Sequence, residues 1–163
     1  MDDLRARFLH AMSRAAATVS VVTTDGPAGR AGITVSAMTS VSADGEAPTM
    51  LVCVNRGASA AEPILRNGCF AINVLEASQE ALAERFAGRA AVADRFDGVG
   101  TDRLATGAPL LRGGLAGFDC AVQSSELVGT HHVLIGAVRA VRVAETGTPL
   151  IYGMRSYLKT HPA

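Results

Sequence analysis

Polar residues interrupt otherwise apolar stretches of this chain at four places, and a fifth cluster lies near its end. Thr34-Val35-Ser36-Ala37, followed by Thr39, Ser40 and Ser42, lines up small hydroxyls and backbone N–H groups. Such groups can hold a phosphate or the carbonyl edge of a heterocycle; equally, they can face water on a half-exposed strand. Asn55 and Ser59 stand where an apolar segment gives way to a helix. The unpaired N–H groups of a helix start attract anions, and Asn and Ser are also ordinary capping residues there. Asn73 sits inside Phe70-Ala71-Ile72-Asn73-Val74-Leu75. A buried Asn must find hydrogen-bond partners, in the protein or in a ligand. Gly129-Thr130-His131-His132 brings an imidazole to the start of an apolar strand, where it can donate a proton, touch a ligand or bind a metal. With no second His or carboxylate at ligand spacing, no metal site is expected. Tyr152, Arg155 and Tyr157 gather near the C-terminus as a closing segment whose arginine can face a phosphate. His10 and His161 fall in terminal segments and are expected to be solvated.

Familiar catalytic signatures are absent. The sequence has no CxxC, HExxH, GxSxG or Walker loop, and Gly98-Val99-Gly100 lacks the third glycine of a dinucleotide fingerprint. Composition narrows the field further. The 163 residues are 48% hydrophobic, 18% charged and 4% aromatic, with no Trp, zero formal net charge and a mean hydropathy of +0.25. The length predicts one domain over residues 1–163, long enough to build a core without a disulfide or metal staple. Zero net charge excludes the electrostatic footprint of a nucleic-acid binder, and it removes a common device for keeping monomers apart. No run of 18 apolar residues predicts a membrane span, and the acidic start Met1-Asp2-Asp3 predicts no secretory leader. Three widely spaced cysteines, Cys53, Cys69 and Cys120, predict free thiols in a reducing cytoplasm.

The elements that must position these residues follow from periodicity. Leu4, Phe8, Leu9 and Met12 predict a helix over 3–16, making 1–16 an N-terminal helical segment. Strands are expected over 18–24 and 31–38, paired as a hairpin through Asp25-Gly26-Pro27-Ala28-Gly29, and over 49–55 as a run buried on both faces. Ser59 and Glu62 have capping-box spacing for a short helix ending at Asn67-Gly68. A fourth strand covers 69–75, and Ser78 is the expected N-cap of a helix over 79–87 stopped by Gly88. Residues 89–112 read as an irregular loop, long enough to be functional or a lid. Two long strands, 116–126 and 131–143, and a short one at 149–152 complete the pattern, followed by a C-terminal segment 153–163. This predicts a mainly β fold with flanking helices, arranged as an antiparallel barrel.

Together these motifs form a recognisable series. Arg7-Phe8, Val22-Thr23-Thr24-Asp25-Gly26, Gly32-Ile33-Thr34-Val35-Ser36-Ala37, Ser40-Val41-Ser42 and Cys53-Val54-Asn55 with Ser59 occur in order. They are followed by Asn73-Val74-Leu75, Phe86-Ala87-Gly88, Asp94-Arg95-Phe96, Gly129-Thr130-His131 and Leu150-Ile151-Tyr152 with Arg155. The chain resembles the short-chain flavin reductases of two-component monooxygenases, among them the reductase component of 4-hydroxyphenylacetate 3-monooxygenase. The resemblance implies a Greek-key split β-barrel that binds FMN, with FAD possible, as a homodimer. It implies that NADH or NADPH reduces the flavin, and that reduced flavin diffuses to a partner monooxygenase. It further implies flavin contacts from Ile33, Thr34, Val35, Ser36, Ala37, Asn55, Ser59, Asn73 and Val74. Phe86, Ala87 and Gly88 would close over the ring, with Phe96, Tyr152 and Arg155 beside it and His131 near the nicotinamide, orienting it or shuttling a proton. Relatives often carry two adjacent prolines where this chain has Asp44-Gly45-Glu46-Ala47-Pro48, and a Trp soon after the Asp-Arg-Phe segment where it has none. The rival expectations are a split-barrel protein that keeps its FMN as an oxidase or electron carrier, and a flavin-binding module without catalysis. A haem-binding barrel has only His131 and His132 to offer as an axial ligand.

Overall fold

The computed structural model describes residues 2–90 and 93–161; residues 1, 91, 92, 162 and 163, which fall in the expected domain, loop and tail, lie outside the described residues. The fold is mainly β with a few short helices. Helix α1 (Asp2–Met12) leads into β1 (Ala17–Thr18), β2 (Ser20–Thr24), β3 (Ala31–Val35), β4 (Met38–Ser42) and β5 (Thr49–Asn55). Helix α2 (Ala61–Asn67), β6 (Cys69–Val74), a 3-10 turn (Ala77–Gln79) and α3 (Glu80–Phe86) follow. The chain ends in β7 (Thr101–Arg103), β8 (Pro109–Leu111), β9 (Ala116–Val128), β10 (His131–Val143), β11 (Ile151–Gly153) and β12 (Ser156–Leu158). Seven strands form one antiparallel sheet in the order β3-β2-β6-β9-β10-β5-β4. Its two edge strands, β3 and β4, are consecutive in the chain, joined only by Ser36 and Ala37, and the Ala37 carbonyl accepts from the Cys53 N–H at 3.0 Å. Sheets β1-β11-β12 and β7-β8 complete the described strands.

Alternation explains the core. One face of the large sheet contributes Val22, Val35, Met50, Val52, Val54, Phe70, Ile72, Cys120 and Leu134, with Ile64 of α2 packed on them. The other face, at β2, joins Val19 and Val21 to Leu75, Ala83, Phe86, Phe96, Leu111 and Leu150. This second cluster carries the floor beneath Tyr152 and Tyr157, which pack against it.

The structure revises several sequence expectations. The first helix ends at Met12, because Ser13 turns its hydroxyl back onto the His10 carbonyl, and its Leu4, Phe8 and Met12 stay exposed. The strand expected to run to Met38 breaks at Ser36, and the hydroxyl-rich stretch beyond it forms the separate strand β4. β5 buries only Met50, Val52 and Val54; Thr49, Leu51 and Cys53 are half-buried, so it alternates rather than being buried on both faces. Ser59 does not cap α2, whose N-cap position is Ala60 with no side-chain bond. Nor does Ser78 cap the next helix: Glu76 accepts from the Ser78 N–H while Gln79 reaches back to the Glu76 N–H, a capping box two residues earlier. The stretch 89–112 contains the hairpin β7-β8, pinned where Asp102 accepts from both Arg112 (2.7 Å) and Arg142 (2.9 Å). These two guanidiniums, Arg112 first, hold the Asp102 carboxyl below its usual range. The expected last strand is a hairpin, β11-β12, whose two-residue turn places Met154 and Arg155 at φ of 53° and 61°. β10 runs as expected and β9 extends two residues further, to Val128; the two are joined through Gly129 at φ 59°, a left-handed conformation that glycine adopts without a Cβ clash. Among the described residues, no helix is long and apolar enough to cross a membrane.

Candidate functional site

A groove of about 160 Å³ lies where the end of β3 meets α3 and the C-terminal hairpin. Its walls are Val19, Thr34, Val35, Ser36, Ala87, Arg89, Tyr152 and Tyr157. The local reasons for this meeting are visible in the bonds. Thr34 spends its hydroxyl on the Ala83 carbonyl at 2.7 Å, fastening α3 to β3. Gly32 permits the close approach of α3, since a Cβ there would lie 2.6 Å from Phe86 Cε1 and 3.3 Å from Phe96 Cζ. Phe86 and Phe96 meet edge-to-face with centroids 5.0 Å apart. Arg95 ties the loop to both, donating to the Gly32 and Phe86 carbonyls at 3.1 and 3.0 Å.

Tyr152 and Tyr157 face each other across β11 and β12, edge-to-face at 5.4 Å, and form the aromatic wall. The Tyr157 hydroxyl donates to Glu84 at 2.5 Å, and the same carboxylate oxygen accepts from Arg89 at 2.9 Å. Burial, then the Glu84 carboxylate, pushes the Tyr157 phenol well above the usual tyrosine range. Glu84 likewise raises the Arg89 guanidinium. Arg89 is the one cation lining the groove among the described residues. The connector Ser36-Ala37 is exposed, and neither of its N–H groups has a protein acceptor among the described residues. The groove is therefore lined by Ser36, whose N–H has no protein acceptor among the described residues, by an aromatic wall and by a cation already paired with a carboxylate. It contains no activated nucleophile. Its donor set fits a planar, carbonyl-bearing ring with an anionic tail, and so fits a flavin.

The residues expected from sequence fall into distinct places. Thr34, Val35, Ser36, Ala87 and Tyr152 line the groove, while Ala37 and Gly88, their chain neighbours, are exposed and do not line it. Ile33 packs partly buried against the main core. Ser59 and Phe96 line a separate concavity of about 280 Å³ across β3, with Arg30, Arg95 and Asp94. Asn55 and His131 are register partners at the ends of β5 and β10. There Asn55 accepts from the Gly57 N–H at 2.8 Å, and His131 Nδ1 lies 3.0 Å from the Thr130 hydroxyl. Asn73, Val74 and Phe86 are buried beneath the groove rather than lining it. Asn73 is fully used inside the protein: its amide donates to the Val21 carbonyl and the Thr23 hydroxyl and accepts from the Leu111 N–H. Arg155 stands exposed at the hairpin turn and lines neither concavity. Sequence reasoning missed Arg89 and Glu84, because the pair is five residues apart across a helix end rather than at helical spacing, and it gave Tyr157 only a closing role.

Comparison with known proteins gives the family. The family model described as flavin reductase like domain matches residues 12–161. The chain is 49% identical over 150 residues to FMN reductase (NADH) RutF 2 of Methylorubrum extorquens strain PA1, covering 92% of this chain and 86% of that protein. The NADH:FAD oxidoreductase SgcE6 of Streptomyces globisporus C-1027, solved with NAD and FAD fragments, superimposes with a TM-score of 0.87 at 28% identity, covering 97% of this chain and 93% of that one. BorF, the flavin reductase component of a bacterial two-component tryptophan halogenase, gives 0.83 at 33% identity, covering 94% and 96%. With an antiparallel fold, a groove suited to a flavin and a family match along nearly its whole length, the chain belongs to the flavin reductase like domain family.

Proposed function

We propose that this protein is an NADH-dependent flavin reductase that reduces FMN, with FAD as a possible second acceptor, and releases the reduced flavin to a partner oxygenase. The observation that carries the reading is the groove itself: Ser36 with an unpartnered N–H among the described residues, an aromatic wall and no activated nucleophile in the lining, in a chain whose relative is named an FMN reductase using NADH. When bound, flavin supplies the hydride-accepting chemistry. The chain's own residues hold and orient. The Ser36 and Ala37 N–H groups would meet the carbonyl edge and favour negative charge there. Tyr152 and Ala87 would exclude water, and Arg89 would face the phosphate. His131, which begins β10 opposite Asn55 at the end of β5, would orient the nicotinamide or carry a proton. Asn55 shares that strand end and would touch the same ligand. Asn73, Val74 and Phe86 act from beneath, holding β3, β6 and α3 in place.

The reading extends to architecture. One domain spans residues 1–163 as a Greek-key split barrel, a closure supported by edge strands β3 and β4 being joined by only two residues. It pairs as a homodimer. The support is apolar surface without a partner: Leu127 and Val128 at the β9-β10 tip, Val141 and Val143 on β10, and Phe8 on α1, the last three 50%, 71% and 60% exposed. Free thiols at all three cysteines suit a reducing cytoplasm.

The test is NADH and NADPH oxidation with FMN, FAD and riboflavin in turn. A preparation that oxidises NADH only when FMN is added supports the reductase. A yellow preparation that retains flavin through purification overturns release, and one that binds flavin without oxidising NADH overturns catalysis. Sedimentation at micromolar concentration reads the dimer, and a single monomeric species refutes it.

A further inference from the structure

We propose that Glu84 moderates the hold of Arg89 on the flavin phosphate, and so favours release of the reduced product. The inference rests on flavin occupying the groove with its phosphate toward Arg89, and it adds what governs the strength of that contact. Arg89 is the groove's one cation among the described residues, and it does not act as a free positive charge. Glu84 contacts it at 2.9 Å, with side-chain exposures of 60% for Arg89 and 31% for Glu84. From a few ångströms away such a pair presents a dipole rather than a full charge. An incoming phosphate meets the carboxylate's repulsion as well as the guanidinium's attraction.

The same carboxylate has a second task. By accepting from the Tyr157 hydroxyl it links α3 to β12 and fixes the groove's width. That task needs an acceptor oxygen but no charge, and a glutamine amide would perform it. Only the carboxylate, however, competes with phosphate for the arginine. A protein that must let its reduced flavin go gains from that competition, because affinity in excess would appear as slow release.

Glu84→Gln separates the two tasks. Fluorescence titrations at low ionic strength would compare wild type and E84Q with FMN and with riboflavin, which lacks the phosphate. The expected result is FMN binding about fivefold tighter to E84Q, with riboflavin unchanged, an effect of the size that one part-exposed charge exerts. The gain should shrink in high salt and vanish in an Arg89→Met background, while stopped-flow release of FMN slows in step. FMN binding that is unchanged or weaker in E84Q overturns the proposal. So does an equal change for both ligands, which would make Glu84 a packing strut. Ser36→Trp, which fills the groove from an exposed position, tests the underlying reading separately. If S36W still binds riboflavin normally, the flavin does not lie in the groove and both ideas fall. If S36W abolishes binding of both ligands while E84Q matches wild type, only the role of Glu84 falls.

Discussion

Replacing Asn73 with alanine should unfold the protein sooner without altering how its folded form binds flavin. Asn73 is 1% exposed and makes three bonds: to the Val21 carbonyl at 3.0 Å, to the Thr23 hydroxyl at 3.1 Å, and from the Leu111 N–H at 2.8 Å. Thr23 keeps its donation to the Pro109 carbonyl, so its hydroxyl is not orphaned. Leu111 is fully buried, and its N–H would lose its acceptor outright. One buried donor left unpaired costs about 1–3 kcal/mol, and the space left by the amide adds to it, for a total of about 2–4 kcal/mol. At roughly 2–4 °C per kcal/mol for a chain of this size, the melting temperature should fall by about 5–15 °C. Thermal unfolding followed by far-UV circular dichroism, without flavin, measures the loss; an FMN titration well below the transition measures binding. A native melting temperature combined with a tenfold loss of flavin affinity would refute the reasoning, because it would mean the amide serves the ligand and not the scaffold.

Three further expectations follow from other parts of the molecule. Gly32→Ala should destabilise by about 1–3 kcal/mol in urea melts, since the added methyl would overlap Phe86 at 2.6 Å and push α3 off β3; an unchanged midpoint would contradict the close approach. His131→Ala should lower the rate of NADH oxidation about 10- to 100-fold with flavin affinity kept, and unchanged kinetics would remove His131 from the mechanism. Burial, reinforced by Asp119, pushes the Cys120 thiol up to about 12. Its folded-state value lies above its unfolded one, so the stability it contributes is complete below the ordinary thiol range near ~8.5 and is lost as pH rises toward about 12. Cys120→Ala should flatten that alkaline decline in urea midpoints, and a decline of unchanged slope would show that other groups cause it.

Where sequence reading succeeded, the signal was local. β-branched content marked β2, an apolar run marked β5 though not its alternating burial, and Gly129 marked the turn between two long strands, because local composition and turn chemistry are written into neighbouring residues. It failed where the deciding partner is distant in the chain. The hairpin β7-β8 depends on Arg112 and Arg142 reaching Asp102, contacts that span 10 and 40 residues. Glu76 takes the capping role expected of Ser78 because Gln79 is placed to return the bond. The candidate site followed the same rule. The stretch Thr34-Val35-Ser36-Ala37 could be picked out by its small polar residues, and Ser36 proved to be the point where two strands part. Glu84 and Arg89 could not, since their importance arises only when Tyr157 arrives from 73 residues away.

The groove's neutrality now bears on the zero net charge of the whole chain. A site that retained its flavin would gain from unpaired cations near the phosphate. Here the cations around β3 are already engaged: Arg89 by Glu84, Arg30 by Asp94 at 3.2 Å with its guanidinium 4.5 Å over Phe96, and Arg95 by two carbonyls. Two of these pairings, Arg30 with Asp94 and Arg95 with the Gly32 carbonyl, join segments 64 and 63 residues apart, so the charge that organises the walls is the charge withheld from the ligand. On the proposed reading, binding would then come from the ring, through Ser36 and the tyrosine wall, more than from the phosphate. Riboflavin should therefore serve as an acceptor nearly as well as FMN, with KM values within about tenfold, the span of roughly one exposed ion pair plus its hydrogen bonds. A hundredfold preference for FMN would mean that these arginines are released from their partners when the ligand binds.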